Sequence, residues 1–371
     1  MSQSCVDVIR ILTAGPGDTS GLIELIEARR IDPKSILAVI GKTEGNGGVN
    51  DFTREYATVA LAGALAPYLG VSPQEVERRI AFVMSGGTEG VLSPHITVFT
   101  RQAAPAVRAS GGAAKRLSIG IAQTRDFRPE EIGRQPQIDE TSAAVREAMI
   151  DAGINDKADV HFVQVKCPLL TSERVDAAAA RNARTVTKDA YASMGYSRGA
   201  SALGVAQALG ELAAEPREAD VLRRWDLFSS VASTSSGIEL MHNVVVVMGN
   251  SVTSNSDLVI GHAVMQDAID AAAVRAALAS VGLSADEMSN PASAGRLVNI
   301  FAKAEASPDG FVRGCRHTML NDTDITSTRH ARAAVGGLIS GLAGTGAIYI
   351  SGGAEHQGPA GGGPIAVIAR A

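Results

Sequence analysis

The sequence predicts an α/β (α+β) protein made of three structurally similar repeats around a pseudo-threefold axis. Three observations carry this expectation. Three apolar runs each end in a lysine: LAVIG-Lys42-TEG, HFVQV-Lys166-CP and VNIFA-Lys303-AE. Each is followed by a hydroxyl–arginine pair opening an Ala-rich helical pattern: Thr53-Arg54, Ser197-Arg198 and Thr328-Arg329. Each segment then carries Ser-[Gly/Ser]-Gly-x-Glu, running from Ser85 to Glu89, from Ser235 to Glu239 and from Ser351 to Glu355. One such match is noise, whereas three in the order Lys, Arg, Ser mark an internal repeat. The Lys-to-Ser spacings of 43, 69 and 48 residues show that loop length varies while the order holds.

Each unit reads in the same sequence of elements. An apolar strand comes first (VDVIRIL, LSIGIA, LVIGHAV) and passes into a helical segment. The lysine-ended run reads as a buried strand of four to six residues. The hydroxyl before each arginine is read as the N-cap of the next helix. After the Ser-Gly turn, a last apolar strand follows within about fifteen residues (HITVF, HNVVVV, PIAVIA). The stretches RQAAPAVRASGGAAKR (101–116) and GNSVTSNSD (249–257) carry the punctuation of connectors. They divide the chain into units 1–104, 112–250 and 255–371. A closed threefold arrangement brings equivalent strand ends together, so three Lys, three Arg and three Ser would meet at one site.

Composition narrows the function. The 371 residues are 45% hydrophobic and 20% charged, enough for a substantial core. Net charge is −5 with no basic block, and aromatics are 4%, so nucleic acid is a poor partner. The N-terminus lacks a basic region and a long apolar stretch, so no secretion signal is read. Residues 333–354 are uncharged, but Gly, Ser and Thr dilute them, and they read as a helix, a turn and a strand rather than a membrane span. Three cysteines without CxxC spacing imply neither disulfides nor zinc, and the reading is a reduced cytoplasmic protein. Only seven of the 34 basic residues are lysines, which singles out the three that end apolar runs.

Those residue types support nucleophilic chemistry. A serine hydroxyl needs a base, and lysine serves only when burial or neighbouring cations bring its pKa down toward 7–8. A lone lysine at a strand end more often snorkels to solvent; three equivalent ones weigh the other way. Glycines beside each serine let backbone N–H groups approach a carbonyl, although a single SGG is also an ordinary turn. Arg54, Arg198 and Arg329 can bind carbonyl oxygens or an anionic ring, or form salt bridges from helix starts. Glu89, Glu239 and Glu355 can brace the lysines and turns or be solvated. The seven histidines show no ligand spacing. The run Glu355-HQGPAGGGP offers carbonyl oxygens beside a carboxylate, which suits Mg²⁺ or Ca²⁺ and equally a tight turn.

The segments GKTEGNGGVNDFTREYAT, FVMSGGTEGVLSPH, HFVQVKCPLLT, MGYSRGASALG, STSSGIE, FAKAEASPDG, STRHAR and YISGGAEHQGPAGGGP closely resemble the cyanuric acid hydrolase and barbiturase family, and more the former branch. The resemblance implies a triangular, barrel-like core with helices outside, of the Toblerone type. It implies hydrolytic opening of the cyanuric acid ring to carboxybiuret, which loses CO₂ to give biuret, a late step of s-triazine degradation. It assigns Ser235 as nucleophile and Lys166 as base. Ser85, Gly86, Ser236, Ser351 and Gly352 would hold the ring carbonyls, Arg54, Arg198 and Arg329 would complete the cradle, and Lys42 and Lys303 would supply positive potential. It implies no cofactor for catalysis, but a structural Mg²⁺ or Ca²⁺ held by Glu305 and oxygens of Ala354, Gln357, Gly358, Pro359 and Gly362. It also implies a homotetramer with a small-molecule substrate and no nucleic-acid or membrane partner. The alternatives are barbiturase activity and a non-catalytic binding protein for planar heterocycles.

Overall fold

The computed structural model describes residues 3–104 and 114–371, so part of the first connector, 105–113, lies outside it, as do residues 1 and 2. The first segment holds strands β1 (Gln3–Leu12), β2 (Ile36–Thr43), β3 (Ala81–Gly86) and β4 (His95–Ala104), with helices α1 (Ser20–Glu27), α2 (Thr53–Leu69) and α3 (Pro73–Arg79). The second holds β5 (Arg116–Gln123), β6 (Val160–Pro168), β7 (Ala232–Gly237) and β8 (Val244–Ser251), with α4 (Gln135–Asp151), α5 (Ser172–Ala179) and α6 (Ala190–Leu209). The third holds β9 (Leu258–Met265), β10 (Leu297–Ala304), a small hairpin of β11 (Phe311–Val312) and β12 (Cys315–Arg316), then β13 (Tyr349–Gly352) and β14 (Gly363–Arg370). Its helices are α7 (Ala271–Ala279), α8 (Pro291–Arg296) and α9 (Ser327–Ala343).

Each segment forms a four-stranded sheet with one strand order: β1-β4-β2-β3, β5-β8-β6-β7 and β9-β14-β10-β13. In all three, the strand ending in lysine runs parallel to the strand ending in serine and antiparallel to the segment's last strand. A parallel pair requires a crossover connection, and the Ala-rich helices α2, α6 and α9 supply it. Even an irregularity recurs. A register shift falls at Ile36/Ala38, at Val160/Phe162 and at Leu297/Asn299, near the start of each lysine strand.

The lysine strands are buried along nearly their whole length, because both faces are covered. Side chains alternate between faces. One face of every sheet contributes to a shared core that includes Ile40, Phe99, Phe162, Val246, Phe301 and Tyr349. The opposite faces pack beneath helices in three separate clusters, one per segment. Gly120 shows how closely a helix lies on its sheet, since a Cβ there would come within 2.0 Å of the Ala148 carbonyl oxygen on α4. The sheets themselves are open. No strand ladder joins one to the next among the described residues, so the segments meet through side chains and isolated main-chain bonds, such as the Ser229 N–H to the His356 carbonyl, and not as a hydrogen-bonded barrel.

Two local expectations are corrected. The hydroxyls of Thr53, Ser197 and Thr328 do not cap their helices. Asp51 accepts from the Thr53 N–H, Asp189 caps α6 eight residues before Ser197, and α9 begins at Ser327. Carboxylates and main-chain geometry take the capping place, which frees the hydroxyls for contacts inside the fold. The stretch 249–257 is not a loose connector either. Its first residues complete β8, and buried Ser254 and Ser256 donate to the carbonyls of Leu117 and Val6. Residues 333–354 do form helix, turn and strand, and no described helix is long and apolar enough to cross a membrane.

Phe301 stacks at 5.5–6.1 Å between ring centroids against Phe99, Phe162 and Tyr349 and is fully buried. Phe301→Ala is expected to lower unfolding free energy by about 3–5 kcal/mol, measured by urea denaturation.

Candidate active site

The strand registers place the chemistry. Lys42 pairs with Ser85, Lys166 with Ser235 and Lys303 with Ser351, each in a parallel ladder. Paired residues share a sheet face, and that face is the one lining the shared core. The three pairs therefore sit at one end of that core. Ser85, Ser235 and Ser351 line a single small cavity together with Gly86, Ser236, Gly352, Arg54 and Arg198. Its remaining lining residues are Gly47, Met194 and Arg332.

All three lysines are at most 1% exposed. Lys42 Nζ donates to Ser85 Oγ at 3.3 Å and to the Gly86 carbonyl at 3.2 Å. Lys303 Nζ donates to Ser351 Oγ at 3.1 Å, to the Gly352 carbonyl at 3.0 Å and to the Thr234 carbonyl at 2.8 Å. Lys166 departs from this pattern. Its Nζ donates to the Met84 carbonyl at 3.0 Å and pairs with Glu239 Oε1 at 2.7 Å. Among the described residues, no protein group hydrogen-bonds the Ser235 hydroxyl. Burial lowers the pKa of every one of these lysines. Arg332 and Lys303 add to the fall at Lys42, Arg198 helps bring Lys303 to about 7, and Glu239 partly opposes the fall at Lys166.

Carboxylates hold the arginines. Glu355 grips Arg198 through both oxygens, at 2.6 and 2.7 Å. Burial would push the Glu355 carboxyl up, but Arg198 holds it down at about 2. Glu89 does the same for Arg332, at 2.6 and 2.8 Å. Here the structure parts from the sequence reading. Arg329 is not at the cavity; its side chain is 38% exposed and lines an adjoining hollow with Asn46, Val49, Tyr191, Asp324 and Thr326. The third guanidinium in the cavity belongs to Arg332, 3% exposed. Arg332 lies twelve residues before Gly344, the left-handed glycine ending α9, as Arg198 lies twelve before Gly210 at the end of α6. This spacing from the helix stop matches Arg332 to Arg198, although Arg54 lies sixteen residues before Gly70 at the end of α2.

Tyr349 was also missed. Its register position, two before Ser351, is Val83 before Ser85 and Ser233 before Ser235. The phenol is fully buried, its oxygen lies toward Ser85 and Ser351 without a well-formed hydrogen bond, and burial raises its pKa. No histidine lines the cavity.

The region of the expected cation has one fitting feature. The Glu305 side chain is half-buried, accepts from the Ala306 N–H and the Thr328 hydroxyl, and has no ion-pair partner among the described residues. Burial and the nearby Glu355 push its pKa up. A carboxylate in that state suits a hard cation. The Gln357 side chain is already engaged, accepting from the Thr234 N–H and donating to the Gly353 carbonyl. Its main-chain oxygen, with those of Ala354, Gly358, Pro359 and Gly362, is what remains to contribute. No group of three His, Cys, Asp or Glu gathers anywhere among the described residues.

Glu239 yields a pH prediction. Burial opposes its ionisation, but Lys166 and Arg54 hold its carboxyl down at about 2. A depressed folded-state pKa gives stability that is complete above the unfolded value of about 4.3 and is lost as pH falls toward 2. Glu239→Gln is expected to flatten the fall in unfolding free energy over that interval, read from urea titrations at several pH values.

With this geometry in hand, comparison with known proteins is informative. A family model described as amidohydrolase ring-opening protein matches residues 7–370. The chain is 72% identical over 371 residues to the cyanuric acid amidohydrolase of Bradyrhizobium diazoefficiens, covering 100% of this chain and 99% of that one. It is 60% identical over 367 residues to that of Pseudomonas sp. strain ADP, covering 99% of each. A solved cyanuric acid hydrolase superposes with a TM-score of 0.94 at 60% identity over 100% of both chains. That of A. caulinodans gives 0.88 at 48% identity over 99% of both. Matched from near its first residue to its last, and carrying three Lys–Ser ladders at a single cavity, the chain belongs to the ring-opening amidohydrolase family.

Proposed function

We propose that this protein hydrolyses cyanuric acid, opening its ring with Ser235 as nucleophile and Lys166 as base. The observation that carries the reading is the convergence of three Lys–Ser pairs in identical parallel register on one cavity. The three segments are read as related by a pseudo-threefold axis through that cavity and the phenylalanine cluster beneath it, with units 1–104, 112–250 and 255–371. A planar ring with three carbonyls at 120° matches such a cradle.

The three serines then divide the work. Lys42 and Lys303 donate to the Ser85 and Ser351 oxygens, which leaves those hydroxyls to donate outward to ring carbonyls. Ser235 accepts no such bond, so its proton is the one available to a base. Ser235 Oγ adds to a ring carbonyl carbon as its proton passes to the neutral Lys166 amine. Lys166 returns that proton to the ring nitrogen as the C–N bond breaks. Water then releases carboxybiuret, which loses CO₂ to give biuret. Arg54, Arg198 and Arg332 place positive charge around the oxygens on which negative charge develops.

On the same reading, Glu305 and the main-chain oxygens of the 354–362 loop hold a structural Mg²⁺ or Ca²⁺, which would neutralise the half-buried carboxylate. The expected homotetramer is proposed from the family resemblance, and Phe52, Tyr56 and Val59 give α2 an exposed apolar face for such contacts.

The test is steady-state hydrolysis of cyanuric acid with biuret quantified, and barbituric acid run in parallel. Biuret from cyanuric acid, with barbituric acid unchanged, is the expected result. Product from barbituric acid alone would move the protein to the sister activity, and none from either would leave only a binding cradle. Ser235→Ala and Lys166→Ala are expected to abolish turnover, whereas Ser85→Ala and Ser351→Ala chiefly raise KM. Equal kcat losses at all three serines would remove the privileged dyad. Losing a charged hydrogen-bonding group costs about 1.5–3 kcal/mol, so Arg332→Ala should lower kcat/KM roughly 10- to 100-fold. Arg329→Ala should stay within about threefold.

A further inference from the structure

Three glutamates stand four residues beyond the three serines, yet they do not make equivalent bonds. Glu89 binds Arg332, and Glu355 binds Arg198, in each case an arginine from another segment. The same pattern assigns Glu239 to Arg54. Its carboxylate instead lies on Lys166 Nζ at 2.7 Å. Arg54 is anchored through its terminal nitrogens, Nη1 to the Ser236 carbonyl at 3.3 Å and Nη2 to the Gly48 carbonyl at 2.8 Å. Its Nε is buried and unpartnered, and no carboxylate lies within ion-pair distance of it among the described residues.

The turns that carry these glutamates also differ, as the glycines two residues beyond each serine show. A Cβ on Gly87 would meet the Arg332 guanidinium at 2.5 Å, and one on Gly353 would meet that of Arg198 at 2.4 Å. On Gly237 it would meet the Glu239 carboxylate at 2.1 Å. Gly87 and Gly353 have left-handed φ values of +109° and +78°, whereas Gly237 still belongs to β7, so the middle turn is built differently and brings its own glutamate back against the strand end. Lys166, held there, is also the one lysine not bonded to its serine.

We infer that Glu239 is a positioning residue with two seats, Lys166 in the arrangement seen here and the Nε edge of Arg54 once the ring is bound, and that its move releases Lys166 to serve Ser235. This rests on Lys166 being the base of Ser235. On Lys166, the carboxylate stabilises the ammonium, which has no lone pair with which to accept a proton. A ring carbonyl at Ser235 offers the ammonium another acceptor and draws it away. Glu239 then satisfies the buried N–H of Arg54, as Glu89 and Glu355 satisfy their arginines. The groups facing Lys166 are Glu239, Arg54 and the buried thiol of Cys167. With Glu239 gone, the nearby Arg54 cation and burial favour the neutral amine, and the ammonium proton passes to water.

Two measurements test this. In a crystal structure of Ser235→Ala with cyanuric acid bound, the Glu239 carboxylate should hydrogen-bond Arg54 Nε, and Lys166 Nζ should lie toward residue 235. Glu239 still on Lys166 with the ring in place would overturn the inference, whereas a ring that never enters the cavity would overturn the reading on which it rests. The second measurement is the pH dependence of kcat/KM for Glu239→Gln. Removing the carboxylate lowers the pKa of Lys166, so the acid limb should move about one unit or more to lower pH. Glu89→Gln, acting through arginines, should raise KM and leave that limb in place. A uniform loss at all pH values in Glu239→Gln would mean a merely structural role. Full activity of Lys166→Ala would remove the dyad itself.

Discussion

Three primary amines end their strands inside one protein core, and the rest of the structure is arranged around that burial. An isolated buried ammonium is costly enough that it loses its proton or finds a partner. Both solutions occur here. Lys42 and Lys303 are pressed toward neutrality and satisfied by serine hydroxyls and carbonyls, while Lys166 keeps a carboxylate. The parallel ladders fix which serine each lysine meets, and the aromatic cluster of Phe99, Phe162, Phe301 and Tyr349 closes the floor against water.

The arginines raise the opposite problem, since a guanidinium stays charged in any surroundings. Pairing Arg198 and Arg332 each with a glutamate from another segment solves it for those two and ties the segments together, while Arg54 rests on the Ser236 and Gly48 carbonyls. Glu89 reaches 243 residues along the chain to Arg332, and Glu355 reaches 157 to Arg198. These pairs span sheets that share no strand ladder. The contacts that build the cavity are thus also contacts that hold the sheets in place, and a change at either glutamate acts on both.

Much of this was legible in the chain because repetition amplifies weak signals. A lysine after an apolar run says little once; three, each followed by Ser-x-Gly-x-Glu, pointed to the Lys–Ser pairs that the parallel ladders bring side by side, and to Arg54, Gly86, Arg198, Ser236 and Gly352 around the same cavity. What failed was the reading of helix starts. The hydroxyl–arginine pairs looked like caps, but carboxylates and backbone set the helix ends, and the third pair sits one turn too early. Arg332 was overlooked for that reason, although its distance from Gly344 matches that of Arg198 from Gly210. Tyr349 was invisible for another reason. A tyrosine inside an apolar strand reads as core, and only the three-dimensional register shows its oxygen beneath the serines.

A cradle with three equal arms cannot by itself choose where to act, and a ring with three equal carbonyls gives it no help. The choice must come from positions where the repeat is broken. Three such breaks surround the middle dyad. Tyr349 lies toward Ser85 and Ser351, while the corresponding places are Val83 and Ser233. Ser236 replaces the glycine found beside the other serines and takes a hydrogen bond from Arg198. Glu239 lies on Lys166, whereas Glu89 and Glu355 bind Arg332 and Arg198. Each difference is small, and the last keeps Lys166 off the Ser235 oxygen, which lacks the lysine donor that Ser85 and Ser351 have. On the proposed reading, the three similar arms would position the ring, and the places where they differ would select the bond that is attacked.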